Sequence, residues 1–502
     1  MPYDVVIAGA GPIGLFLACE LRLQGVRTVV LERRAEIDPT LKAGAVAGRG
    51  ADVLIRRGIS ELLGDQPTLA DLMGGGRPGA GSLQATTGKT GTPVVGHFAG
   101  LWILRGGSRP AGMPIFAAQQ VLEAALEKHA LDLGAGVRRG HTLTGIDQDD
   151  GGVSVTAEGP EGAYALRTGW LVGCDGGRSA VRKLTGFAFP GVDGVTTGHQ
   201  AIIEVDDPDF FPLGWHRTEH GLLARGPMPQ RILAVEFDGP PADRSAPVTR
   251  DELQASLRRL SGTEVTVTAV HSATRFTDNT RQADAYRRGR VLLAGDAAHV
   301  HPPFGGQGIA LGLGDAVNLG WKLAAEVSGW APDGLLDTYT TERRPAAARV
   351  LHNTRAQVAL LAPGPRVDAL REIFTALAET EEANRLLTDL MGDLDLRYDV
   401  AVDHPLAGRY CPDLDLTVSG TVTSVARLSR SGRPLLLDLD GRSAVRDAAR
   451  PWADRVEVVA AKADDAPAAA VLVRPDGYVA WAGEDVGGLR EACARWFGAP
   501  RE

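Results

Sequence analysis

The chain has 502 residues, 44% of them hydrophobic and 23% charged, with 53 basic against 62 acidic side chains and a formal net charge of −9. That length calls for two or three domains, and the negative balance argues against nucleic acid or an anionic membrane as the main partner. No apolar run is long enough to span a bilayer and the N-terminus runs straight into a strand, which predicts a cytoplasmic protein; the four cysteines, Cys19, Cys174, Cys411 and Cys493, form no CxxC or metal-ligand spacing, so neither a disulfide framework nor a metal site is expected.

Residues 4–8, DVVIA, form the short apolar run of a strand buried on both faces of a parallel sheet. Gly9, Gly11 and Gly14 follow as G-x-G-x-x-G: a tight turn, a close approach of backbone to pyrophosphate, and a close seat of helix on strand. The helix N-terminus offers free N–H groups and partial positive charge to phosphates. Leu15, Leu17, Ala18 and Leu21 give that helix its apolar face, and Gly25 ends it. A second strand, TVVLE (28–32), finishes with Glu32, placed to accept hydrogen bonds from a ribose and to repel a 2′-phosphate. Together these elements predict a dinucleotide site that disfavours NADP, but they serve NAD and FAD alike.

Further along, AVAGRGADVLIRRG carries Arg49, and a glycine-rich segment, 73–96, predicts loops or strands at a pocket edge or a plain surface loop. AAQQVLEAAL opens a helix with Gln119. WLVGCDGGRSAVRKLTG (170–186) predicts a strand ending at Asp175-Gly176, then a basic helix with Arg178, Arg182 and Lys183. Between Gly186 and Phe276 alternating stretches at 198–205, 220–228 and 231–239 read as antiparallel strands. Such a sheet laid over a cofactor makes a broad, apolar-floored pocket for a flat polycyclic ligand. Trp215, Phe237 and Phe304 are candidate liners, and each serves equally as ordinary packing.

The stretch GRVLLAGDAAHVHPPFGGQGIALGLGDAVNLGWKLAAEV (289–327) chooses the cofactor. A buried strand ends in Asp296, which can accept hydrogen bonds from polyol hydroxyls. Gly305, Gly306 and Gly308 leave backbone N–H groups accessible at a helix N-terminus, which stabilises negative charge of the kind reduced flavin carries. NAD offers neither polyol nor anion, so FAD is expected. His299 is expected to be structural; His301, nearer the expected flavin, stays open. Helical patterns fill Leu335 to Leu396, and 397–416 reads as a linker. The remainder predicts β-α-β-β-β-α: a strand RPLLLDL, a helix near 441–452, a strand RVEVVAA, a pair turning at Asp476-Gly477 and a closing helix.

The segments GDAAHVHPPFGGQG, VGCDGGRSAVRK and DAVNLGWKLAAE resemble the FAD-dependent aromatic hydroxylases, the group A flavoprotein monooxygenases, and within them the actinobacterial aromatic polyketide and rifamycin hydroxylases. The resemblance covers nearly the whole chain. It implies an α/β fold with a Rossmann-like FAD-binding domain in two parts (1–182 and 276–398), an antiparallel-sheet substrate domain (183–275) and a thioredoxin-like C-terminal domain (399–502) without Cys-x-x-Cys. It implies that Asp296 holds the ribityl chain, that Gly305, Gly306, Gln307, Gly308 and Ile309 cradle the pyrimidine end of the isoalloxazine, and that Pro303 presents its backbone near C4a. Glu32 and Arg33 would face the adenosine ribose, with Arg49, Gln119 and Asp175 as further cofactor contacts. No metal and no acid–base residue is nominated.

Some positions depart from the family. Lys42-Ala43 stands where Arg-Ala is common, and Ala310 where Asn is common. Gly312 and Gly314 lie in the expected helix, where each costs about 1 kcal/mol relative to Ala. The implied reaction has NADH or NADPH reduce the flavin, O2 form a C4a-hydroperoxyflavin, and one oxygen atom enter an aromatic polyketide. Baeyer–Villiger or ring-cleaving oxidation, inactivation of an aromatic antibiotic, and a flavin-binding ligand sensor without turnover are the alternatives. The cofactor preference between NADH and NADPH and the choice of monomer or homodimer stay open.

Overall fold

The computed structural model describes residues 2–40, 42–65, 94–105, 114–226, 230–244 and 246–501. The opening apolar run becomes the fully buried strand Val5–Ala8, paired in parallel with Thr28–Glu32 on one side and Trp170–Gly173 on the other. Gly136–Arg139 extends this sheet in parallel beyond Thr28–Glu32, Val291–Leu293 does so beyond Trp170–Gly173, and the short Arg287–Arg288 closes the edge antiparallel. Parallel strands end on one edge, so Gly9, Glu32, Arg139, Cys174 and Ala294 come together where such folds bind ligands.

Helix Pro12–Leu23 packs against both Gln119–Asp132 and Gly308–Val327. Its seat is tight: Gly9 has φ +105°, and a Cβ at Gly14 would lie 2.0 Å from the Gly9 carbonyl oxygen. The glycine spacing therefore follows from steric exclusion between turn and helix.

The second sheet is wholly antiparallel, in the order Gly214–Thr218, Gly221–Arg225, Arg231–Glu236, Thr197–Val205, Val267–Phe276. Alternate side chains divide its two faces. Leu223 and Ala234 join Leu253 and Leu257 of helix Arg250–Ser261 in one cluster, while Leu222 and Val235 face a second cluster with Phe98, Phe304 and Leu361. Helices Thr338–Leu361, Pro365–Ala378 and Glu381–Gly392 occupy the stretch expected to be helical. Among the described residues no helix is long and apolar enough to cross a membrane.

The C-terminal sheet runs Glu457–Ala460, Leu435–Asp438, Ala470–Val473, Val479–Gly483, the first pair parallel and the others antiparallel. With helices Ser443–Ala449 and Val486–Phe497 this is the expected β-α-β-β-β-α order in a thioredoxin-like arrangement. The stretch 397–416 departs from the expected linker. Tyr398, Tyr410 and Cys411 are buried, and bridges join Arg397 to Arg409 and Tyr410 to Tyr478. Two large aromatic rings gain more from burial than a polar, proline-containing stretch suggests.

Candidate active site

A cleft of about 390 Å³ opens along the carboxyl edge of the parallel sheet. Gly9, Gly11, Glu32, Arg33, Gln119, Asp175, Asp296, Gly308 and Ile309 all line it. Two helix N-termini meet there. Among the described residues, no side chain caps Pro12–Leu23 or Gly308–Val327, and neither has an acid in its first turn, so their free N–H groups suit anionic groups. A Cβ at Gly11 would meet nothing within 4 Å, which leaves that backbone open to a phosphate.

Glu32 is held at the rim: Oε2 accepts the Ala10 N–H at 2.8 Å and Oε1 the Arg34 N–H at 2.9 Å. Asp175 caps the short helix behind it, accepting from the Ala180 and Val181 N–H groups at 2.6 and 3.1 Å, while its buried Oδ1 has no protein partner among the described residues. Gln119 donates to Glu123 at 2.7 Å. This donor and acceptor set fits FAD: an acid for the adenosine ribose, bare helix N–H groups for pyrophosphate, Asp296 for the ribityl hydroxyls, and a second helix N-terminus for the isoalloxazine.

Two expected contacts are placed elsewhere. Arg49 does not line the cleft; it opens helix Arg49–Arg56, pairs with Asp52 one turn on at 2.7 Å and lies 4.4 Å over the Tyr410 ring. Lys42, which stands where the family commonly has arginine, does line the cleft, paired with Asp38 at 3.1 Å. The Gln307 side chain also turns away. Its Nε2 donates to the Leu390 and Met391 carbonyls at 3.0 and 3.1 Å and its Oε1 accepts from Asn353 at 2.6 Å, which anchors the glycine loop and leaves its backbone for the ligand. Arg34, Arg139 and Arg178 join the lining unforeseen. Arg139 was foreshadowed only by the end of the GVRR strand, whose register sets it opposite Glu32.

The loop from Pro303 to Gly308 runs between two environments. Gly308 and Ile309 face the cleft, while Phe304, 1% exposed, belongs to the aromatic cluster on the antiparallel sheet. Trp215 and Phe237 pack at the same cluster, so the three candidate liners converge. Hairpin Val94–Phe98/Leu101–Arg105 adds His97 and Trp102, with ring centroids 4.5 Å from His97 to Trp215 and 5.4 Å from His97 to Trp102. Burial pushes His97 down to about 4, so it is neutral at pH 7. The glycine-rich segment's end, 94–96, is strand; 73–93 lies outside the described residues. His299 is buried on Asp315, whereas His301 sits beside Gly308 with Nδ1 2.8 Å from the Pro302 carbonyl and is held below the ordinary imidazole value by burial.

The FAD binding domain family matches residues 2–354, and the aromatic-ring hydroxylase C-terminal family matches residues 404–500. The chain belongs to the FAD-dependent aromatic-ring hydroxylases. It is 43% identical over 526 residues, covering 100% of both chains, to the 12-dehydrotetracycline 5-monooxygenase/anhydrotetracycline 6-monooxygenase of Streptomyces rimosus subsp. rimosus. It is 41% identical over 508 residues, 99% of each chain, to the rifampicin monooxygenase of Streptomyces venezuelae. Among solved structures, the anhydrotetracycline hydroxylase from Streptomyces rimosus superposes with a TM-score of 0.88 at 41% identity, with both chains fully covered. Membership in this hydroxylase family makes the protein a flavin-dependent monooxygenase of mixed α/β architecture.

Proposed function

We propose that this hydroxylase uses NADH or NADPH and O2 to place a hydroxyl group on an aromatic polyketide. The observation that carries the reading is the loop Pro303–Gly308, which puts Gly308 on the cleft lined by Gly9, Glu32 and Asp296 and Phe304 in the aromatic cluster. FAD, when bound, supplies hydride acceptance and oxygen activation. Asp296 would hold its ribityl chain, the Gly308 helix N-terminus would stabilise negative charge at its isoalloxazine end, and Glu32 and Lys42 would hold its adenosine end. Trp215 and Phe237, backed by the buried Phe304, would give the substrate an apolar wall that orients a flat ring system and keeps water away. His97 is neutral and therefore brings no competing charge to that wall.

The similarity to a rifampicin monooxygenase supports a second reading, oxidation of an aromatic antibiotic as its inactivation. Both readings are tested together. The visible spectrum of the purified protein is recorded, then NAD(P)H and O2 consumption are followed with polycyclic phenols and rifamycin-type compounds. A flavin spectrum, ligand-stimulated turnover and a product one oxygen atom heavier are expected. The product's structure separates ring hydroxylation from Baeyer–Villiger insertion. A flavin-loaded protein that no ligand stimulates contradicts the proposal.

A further inference from the structure

Helix Gly308–Val327 starts at the flavin end of the cleft and carries Asp315 two turns in. Asp315 is fully buried and lies outside the cleft lining. Its Oδ2 accepts from the Gly295 N–H at 3.1 Å and from His299 Nε2 at 2.6 Å, and its Oδ1 accepts from Arg343 Nε at 2.9 Å. A carboxylate offers only lone pairs, and here every partner is a donor, two from the turn 295–299 and one from helix Thr338–Leu361. Burial would raise its pKa, but His299 and Arg343 outweigh that and hold the carboxyl below the usual carboxylate range.

Each donor bears on the cofactor cleft. Gly295, with φ +60°, immediately precedes Asp296 of the cleft lining in the same tight turn. His299 starts the short strand leading to His301 and the two prolines. Arg343 spends its remaining nitrogens on the Leu311 carbonyl at 3.1 Å, in the first turn of the same helix, and on the Tyr398 hydroxyl at 2.9 Å. Gly314 leaves room for that guanidinium, since a Cβ there would sit 2.7 Å from Arg343 Nη2. Tyr398 in turn packs on Tyr478 of the C-terminal domain, with ring centroids 4.1 Å apart.

We propose that Asp315 is a positioning residue for the flavin site: with Arg343 it fixes the turn bearing Asp296 against the N-terminal turns of helix Gly308–Val327, and Tyr398 ties that register to the C-terminal domain. The inference rests on the FAD reading above. It assigns the C-terminal domain, which has no cysteine pair for redox work, a part in shaping the cleft.

The test compares Asp315→Asn, Tyr398→Phe, His299→Leu and His299→Gln with the wild type. The readouts are FAD affinity of the apoprotein by fluorescence quenching, the absorption of bound flavin, and the share of NAD(P)H diverted to hydrogen peroxide. Asn offers one acceptor and turns a donor toward either Arg343 or Gly295. Asp315→Asn is expected to weaken FAD binding about tenfold or more, with an altered flavin spectrum and more peroxide, as losing hydrogen bonds to a charged group implies. Tyr398→Phe is expected to move the same readouts less. His299→Gln, which keeps a donor, is expected to stay closer to wild type than His299→Leu. A folded Asp315→Asn that binds FAD with wild-type affinity and spectrum overturns the proposal, as does a lowered thermal midpoint with no change in either. If that variant does not fold, equal FAD affinity and flavin spectrum in wild type, Tyr398→Phe and both His299 variants overturn it. A wild-type protein that binds no FAD refutes the functional reading instead.

Discussion

Glu32 is pinned by two backbone N–H groups at the cleft rim, yet each of its oxygens keeps a lone pair for a ribose hydroxyl. Glu32→Ala is therefore expected to weaken FAD binding by roughly ten- to a hundredfold, as the loss of one charge-assisted hydrogen bond worth about 1.5–3 kcal/mol implies, and to lower apoprotein stability as well, since the Ala10 and Arg34 N–H groups lose their acceptor. Titration of apoprotein with FAD checks this. At the other end, Trp215→Ala is expected to raise KM for a polycyclic phenol by about tenfold, in keeping with the transfer of a large apolar side chain, while leaving FAD affinity unchanged. Steady-state kinetics beside the same titration separates the two effects. Glu32 was legible because it ends a strand whose partner carries the glycine turn. Arg49 was not, since its direction depends on an ion pair with Asp52 and on the ring of Tyr410, far away in sequence.

At the scale of elements, helix Gly308–Val327 carries glycines at 312 and 314 that weaken it locally, and the structure explains both. A Cβ at Gly312 would lie 2.6 Å from Ile13 Cδ1, and one at Gly314 2.7 Å from the Arg343 guanidinium. Both are thus closely packed, Gly312 against Ile13 of helix Pro12–Leu23 and Gly314 against a buried arginine. Gly314→Ala gains about 1 kcal/mol of helix propensity but overpacks a rigid network at a cost of about 1–3 kcal/mol. The expected net effect is a lower thermal midpoint, read by calorimetry; an unchanged or raised midpoint contradicts the packing described. Strand Thr28–Glu32 was readable to the residue because its apolar run is continuous and ends in a charge. The stretch 397–416 was misleading because its burial comes from Tyr398 and Tyr410 meeting Tyr478 and two arginines, contacts that no local pattern announces.

Across the whole molecule, the cofactor and C-terminal domains are joined by a buried charge cluster as well as by Tyr398. Lys322 and Asn318 of the long helix meet Glu342, which also holds Arg474, and Arg474 pairs with Asp476. Two cations balance two anions; burial lowers Lys322 to about 8, still above neutral pH. Burial would raise Glu342, but Arg474 and Lys322 outweigh it and hold its carboxyl far below its ordinary 4.5. A carboxyl depressed in the folded state contributes fully above its unfolded value, and that contribution is lost as pH falls toward the folded one. Stability is expected to decline as pH drops below 4.5, and to decline less steeply in Glu342→Gln, which should cost about 3–5 kcal/mol at neutral pH because it strands buried cations. Thermal melts of both proteins across that range check the sign. The antiparallel strands between 186 and 276 and the β-α-β-β-β-α order near the C-terminus were legible from hydrophobic periodicity and turn signals, and their thioredoxin-like character only from the family resemblance. The polar cluster joining the cofactor and C-terminal regions was not legible, since its members are scattered from Asn318 to Asp476. Oxygenation of a polycyclic aromatic ligand is tested by O2 uptake of the purified protein with NAD(P)H, with and without a polycyclic phenol, followed by the mass of the product. A yellow protein, uptake stimulated by the phenol and a product one oxygen heavier are expected; a colourless protein that FAD cannot reconstitute contradicts a flavin-dependent monooxygenase.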